Sequence, residues 1–158
     1  MNQKLSNWAS SAEIVSAISV VVTVLFLIVG IQENTAITRV SVYGDLMESI
    51  TQLEALSLQD ADLDRALSAF YDGTTDSLDD AGRRKVDSYI GVLFRNYERA
   101  YFSREYDVIG DAEWERFERL ICDNSRRATQ IGMDLTQAEY LTNRFRGYIE
   151  VSCGDTGE

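Results

Sequence analysis

The chain of 158 residues has no proline and no histidine, and its two cysteines, Cys122 and Cys153, stand far apart. Proline is the strongest helix breaker, so long helices can run uninterrupted. Glycine is sparse as well. The lack of histidine removes the commonest general base and the commonest metal ligand. With no Cys-x-x-Cys pair, a structural zinc framework is excluded. No phosphate loop, nucleophile elbow or dinucleotide fingerprint occurs. Alternating strand patterns are missing too. No metal or cofactor is expected.

What is present divides the chain in two. Formal net charge is −11. Lys4 and Glu13 cancel, so all of that charge falls after residue 31. Such a domain repels nucleic acid and anionic lipid at long range, so no nucleic-acid partner is expected. The acidic balance serves solubility first.

Ile14 to Ile31 reads IVSAISVVVTVLFLIVGI and carries no charge. At 1.5 Å per residue it spans roughly 27 Å, against a hydrocarbon core of about 30 Å. A core helix of a small soluble domain keeps one polar face, and this stretch has none. Ser10 and Glu13 read as a capping box ahead of it, with Trp8 at headgroup depth. The run exceeds the apolar region of a signal peptide, and Asn34-Thr35-Ala36 is a poor cleavage match. The chain is therefore read as an uncleaved single-pass protein of the cell (inner) membrane. Residues 1–11 form a short flank, 12–31 the transmembrane helix, 32–151 a helical domain and 152–158 a frayed tail.

Ser16, Thr23 and Gly30 recur every seven residues, and Ile37 and Gly44 continue the register. Small residues at that period let two membrane helices approach with a left-handed crossing. The plainer reading is that Ser16 and Thr23 bond their own i−4 carbonyls.

The fold class predicted is all-α: the membrane helix continues into a small antiparallel bundle. No turn signal follows Ile31, and Ala36, Val40, Tyr43, Met47, Ile50 and Leu53 give Gln32 to Leu58 one apolar face. Asp60 opens a second helix, closed by Asp72-Gly73. Ser77 with Asp80 marks the start of a third, running to about Arg104 with Val86, Ile90, Leu93, Phe94, Tyr97 and Tyr101 inward. Gly110-Asp111 precedes a fourth, with Trp114, Phe117, Leu120 and Ile121 inward. Ser125 to Leu135 shows weak periodicity. Thr136 and Glu139 read as the capping box of a fifth helix that buries Tyr140 or Leu141, Phe145, Tyr148 and Ile149. Short loops predict antiparallel neighbours.

Several motifs invite a functional reading. Asp60-x-Asp62-x-Asp64 opens like a calcium loop, but Arg65 and Tyr71 stand where glycine and a bidentate glutamate are needed. An acidic first helical turn explains it better. Asp155-Thr156-Gly157 spells an aspartic-protease triplet, but it lies on the tail and lacks a second such aspartate. Arg83-Arg84-Lys85 could touch anionic lipid, but Asp79, Asp80 and Asp87 flank it. Asn96, Tyr97, Glu98 and Tyr101 place polar groups beside the buried stripe and could line a polar pocket, with Glu98 bonded to a tyrosine. Cys122 and Cys153 are expected as free thiols, a bridge being expected only outside the cytoplasm.

The segments Ala12-Glu13-Ile14-Val15-Ser16-Ala17-Ile18, Val20 to Gly30 and Ile31-Gln32-Glu33-Asn34-Thr35 resemble a group of uncharacterised bacterial proteins. Asn96-Tyr97-Glu98 with Tyr101, the Trp114 region and Phe145-Arg146-Gly147-Tyr148-Ile149-Glu150 extend the resemblance over most of the chain. It implies one membrane helix followed by a helical domain, and points to no particular activity. Relatives tend to carry arginine where Glu33 stands here, which would put the domain in the cytoplasm. Counting Lys and Arg in the flanks points instead to a cytoplasmic N-terminus. The domain is read as cytoplasmic, with the periplasm as the alternative.

The function expected is a membrane-anchored helical interaction protein without catalytic activity. Its partners would be the lipid bilayer and either its own copies or another membrane protein, in a homo-oligomer or as an accessory subunit. The alternatives are an oligomeric pore lined by Ser16, Ser19 and Thr23, and an anchored small-molecule sensor or hydrolase using the polar pocket.

Overall fold

The computed structural model describes the backbone of residues 2–154, with side chains for residue 16 and residues 18–154. It is all-helical: α1 (Asn2–Gln59), α2 (Ala61–Tyr71), α3 (Asp80–Glu105), α4 (Asp111–Gln130) and α5 (Asn143–Cys153). Single 3-10 turns occupy Thr75–Ser77 and Leu135–Gln137. The chain divides into two compact units, Met1–Val40 and Ser41–Glu158.

The first unit is the N-terminal part of α1. The helix starts at Asn2, so Ser10 lies inside it and does not mark its beginning. This corrects the capping box expected at Ser10 and Glu13: a helical N-terminal flank carries the start upstream. The side chains of that flank, Trp8 included, lie outside the described residues.

The second unit buries one core. From α1 it takes Leu46 and Leu53, with Val42, Tyr43, Met47 and Ile50 packed against them. These are the i, i+3, i+4, i+7 positions of one helical face. Tyr43 meets Phe117 of α4 edge-on, with ring centroids 6.3 Å apart. Asp60 then ends α1 and caps α2, accepting from the backbone N–H groups of Asp62 and Leu63. At the far end Gly73 takes φ +69°, a conformation that costs glycine little.

The start of α3 is two residues beyond the expected place. Asp79 is its N-cap and accepts from the Gly82 N–H at 2.8 Å, whereas Ser77 closes the preceding 3-10 turn. The predicted α3 stripe is buried throughout, from Val86 to Tyr101. Contacts then run backwards along α4 as α3 advances. Tyr97 meets Asn124, Tyr101 meets Trp114 and Arg104 pairs with Asp111. That is antiparallel packing, set by the short turn at Tyr106–Gly110.

Two expectations about the last third need correction. First, α4 extends into the segment read as ambiguous, ending at Gln130 before Gly132 at φ +83°. Its inner face is Phe117, Ile121, Asn124, Ser125 and Ala128, while Leu120 is exposed, at 39%. Two polar residues on the buried face hid the period. Second, Thr136 does not cap α5. Its hydroxyl donates to the Asp134 carboxylate at 2.6 Å within a 3-10 turn, and Thr142 is the N-cap. The 3-10 turn at Leu135–Gln137 holds Thr136 well ahead of α5, which starts at Asn143. Leu141, Phe145 and Ile149 are buried as expected, Tyr148 half-buried and Tyr140 exposed. Residues 131–142 bring the chain back, so contacts advance in the same sense along α4 and α5: Glu118 meets Tyr148, and Cys122 meets Cys153.

Candidate functional site

The first functional feature is the apolar stretch of α1. Every described side chain from Ile18 to Ile31 is exposed, Phe26 to 75%. This helix is long and apolar enough to cross a membrane, with a window of mean hydropathy 1.9 and none of it buried. A helix apolar all round finds no match in water, because each exposed aliphatic side chain forgoes about 1.5–3 kcal/mol of burial. Within it, Thr23 donates from Oγ1 to the Ser19 carbonyl at 2.8 Å. Its hydroxyl thus satisfies itself along the helix. Ser16 is exposed, and a Cβ added at Gly30 would meet nothing within 4 Å.

The four polar residues of α3 go to separate partners. Tyr97 is buried, and its hydroxyl accepts from Asn124 Nδ2 at 3.0 Å. Burial raises its phenol well above the usual range. Glu98 is half-buried and accepts the Thr142 backbone N–H at 2.7 Å. Its partner is the start of α5, not the tyrosine expected. Tyr101 packs among Trp114, Phe145 and Tyr148, with centroids 5.0–6.2 Å away. Asn96 is buried beside them in sequence. The group is therefore spread along the α3–α4 and α3–α5 contacts and does not converge on one pocket.

One cavity borders Tyr101, and an apolar groove lies further back along α3. Tyr101, Arg104, Glu105, Asp107, Trp114 and Tyr148 line the cavity, of ≈ 350 Å³. Its aromatic rings touch one another, and its charges are paired: Arg104 with Asp107 and Asp111, Glu105 with Arg144. The Tyr148 hydroxyl donates to Glu118 at 3.0 Å, and burial followed by that carboxylate raises its phenol. The groove, of ≈ 410 Å³, is more apolar, with Leu53, Leu56, Leu63, Tyr89 and Val92 in its lining. Leu56 and Val92 are exposed there.

The charged motifs serve local structure. Asp60 caps α2 and pairs with Lys85 Nζ at 2.7 Å, which holds its carboxyl below the usual range. Arg83 Nε donates to the Leu78 carbonyl. Among the described residues no cluster could hold a metal ion. Asp155-Thr156-Gly157 lies outside the described residues.

Cys122 and Cys153 form a disulfide, with Cα atoms 4.9 Å apart. This corrects the expectation of two free thiols. The same-sense course of α5 brings its last residue beside the middle of α4, well inside bridging distance. Sequence reasoning also missed Asn124, Glu118 and Thr142. Asn124 sits three residues after Ile121 on the α4 face, and that spacing was the available signal.

Compared with known proteins, the chain matches no protein-family model, no curated protein and no solved structure.

Proposed function

We propose that this chain is a membrane-anchored helical interaction protein, a homo-oligomer or an accessory subunit of a membrane complex, with no catalytic role. The observation that carries the reading is the uniform exposure of Ile18 to Ile31. Lipid tails or partner helices are what cover such a surface. The groove beside Leu56 and Val92 supports a contact role for the domain. The structural partners of Tyr97, Glu98 and Tyr148 support a non-catalytic reading, because each polar group is already engaged inside the bundle.

The membrane is a cell membrane crossed once, with the helical domain on the oxidising side. The Cys122–Cys153 bridge supports that side, since such bonds persist outside reducing compartments. Lys4, ahead of the apolar run, supports a cytoplasmic N-terminal flank. This placement replaces the cytoplasmic one.

Carbonate washing of membranes, N-terminal sequencing and cross-linking test the proposal together. The chain should stay in the pellet with its N-terminal segment intact. A mature N-terminus near residue 36 would instead identify a cleaved signal sequence and overturn the anchor. Gly30→Cys should trap a dimer through the stripe if the chain pairs with itself, while Ile28→Cys on the opposite side should not. A chain that runs as a lone monomer in native membranes, without a co-purifying membrane protein, contradicts the interaction role.

A further inference from the structure

We propose that the Cys122–Cys153 bridge is a redox latch on α5, and that its reduction lets α5 open away from the bundle and uncovers an aromatic surface on α3 and α4. The proposal rests on the bridge itself and not on the membrane role. With the bond formed, α5 is tied to α4 at both ends. Residues 131–142 connect it at its start, and Cys153, its last residue, is bonded to Cys122. A segment held at both ends cannot swing out without opening the helix it is tied to. With the bond reduced, residues 131–142 are the covalent tie of α5 to α4 that remains among the described residues.

The contacts that would then hold α5 are its apolar packing and three polar ties. Phe145 and Ile149 are buried in the core. The Thr142 N–H reaches Glu98, Tyr148 reaches Glu118, and Arg144 pairs with Glu105. A helix of 11 residues is too short to persist alone in water. Segments of low local stability open before the whole domain does.

What opening uncovers is specific. Phe145 and Tyr148 of α5 cover Tyr101 of α3, and Tyr148 also covers Trp114 of α4. Both cysteines are half-buried, neither sealed in the core. The chemistry is thiol–disulfide exchange. A dithiol reductant attacks one sulfur, forms a mixed disulfide, and leaves as its own disulfide. Two electrons and two protons pass to the pair, giving two cysteine thiols.

The test is amide hydrogen exchange on the full chain in detergent micelles, before and after treatment with dithiothreitol, and on Cys122→Ser/Cys153→Ser. Both reduced and double-serine forms should exchange the amides of residues 145–153 at least about tenfold faster, with α2 and the middle of α3 unchanged. Unchanged exchange in α5 would show that apolar packing alone holds it and would overturn the latch. Equal acceleration in every helix would make the bond a staple of the whole domain, which also overturns it. Failure of dithiothreitol to reduce the bond without denaturant removes the switch as well.

Discussion

The Tyr97 hydroxyl accepts a 3.0 Å hydrogen bond from the Asn124 side-chain amide, joining α3 to α4 inside the core. The same amide also donates to the Leu120 carbonyl at 2.9 Å. One buried side chain therefore satisfies both a phenol and a helix carbonyl. Removing one partner leaves the other dry and unpaired, which costs about 1–3 kcal/mol. Asn124→Ala should lower stability by that amount, and Tyr97→Phe by about 1 kcal/mol, since Asn124 keeps the Leu120 carbonyl. Tyr97→Phe/Asn124→Leu should recover much of the loss, because both polar groups go together. Denaturant midpoints of the three variants check this, and strictly additive losses would contradict the pairing.

This contact also shows where the sequence was readable. The stripe of α3 is apolar at regular spacing, so Val86 to Tyr101 could be placed inward from the pattern alone. The α2 start was legible because Asp60 carries its own cap chemistry. The stripe of α4 includes Asn124 and Ser125, whose polarity argued for a surface until a partner across the core was known. Thr136 and Thr142 both fit a cap, and only the Asp134 turn decides between them. The bridge depended on the sense of α5 relative to α4, which is a tertiary fact. The polar set on α3 was visible as residues, but not that its members face different neighbours.

Proline at Val42 probes the continuity of α1 where it enters the second unit. Val42 is half-buried and packs against the core, with helix on both sides. Proline there removes a backbone donor and its ring clashes with the carbonyl four residues back, at a cost of about 3 kcal/mol or more. Val42→Pro should therefore lower the thermal midpoint of the domain clearly. Val42→Ala, which keeps the helix, should cost less. Equal effects of the two would indicate that only the side chain matters.

Stability should fall at alkaline pH. Burial pushes the Tyr89 phenol up to about 12, with Tyr71 beside it adding to the shift. The folded state thus holds this proton more tightly than the unfolded chain, whose phenol titrates near 10. The stability it contributes is fully present below pH 10 and is lost as pH rises towards 12. The slope is at most about 1.4 kcal/mol per pH unit for one phenol. Guanidinium midpoints between pH 8 and 11 should be flat at first and then decline. Tyr89→Phe should soften the decline, and an identical profile would exclude this phenol as a source.

A single charge inside α1 separates a membrane span from an exposed soluble helix. Leu25 lies within the apolar stretch and is exposed, at 57%. On a helix in water, arginine at such a position changes stability by no more than about 0.5 kcal/mol. At the centre of a membrane helix it costs about 2.5–3.5 kcal/mol of insertion free energy, which is more than a tenfold shift in the inserted fraction. The two environments therefore give opposite answers for one variant. Leu25→Arg should move a substantial part of the chain from the carbonate-resistant pellet to the supernatant. Ile37→Arg, beyond the apolar run and also exposed, should leave the distribution unchanged. Equal partition of Leu25→Arg and the parent chain would mean that lipid does not surround this helix, and that the cover over Ile18 to Ile31 is protein.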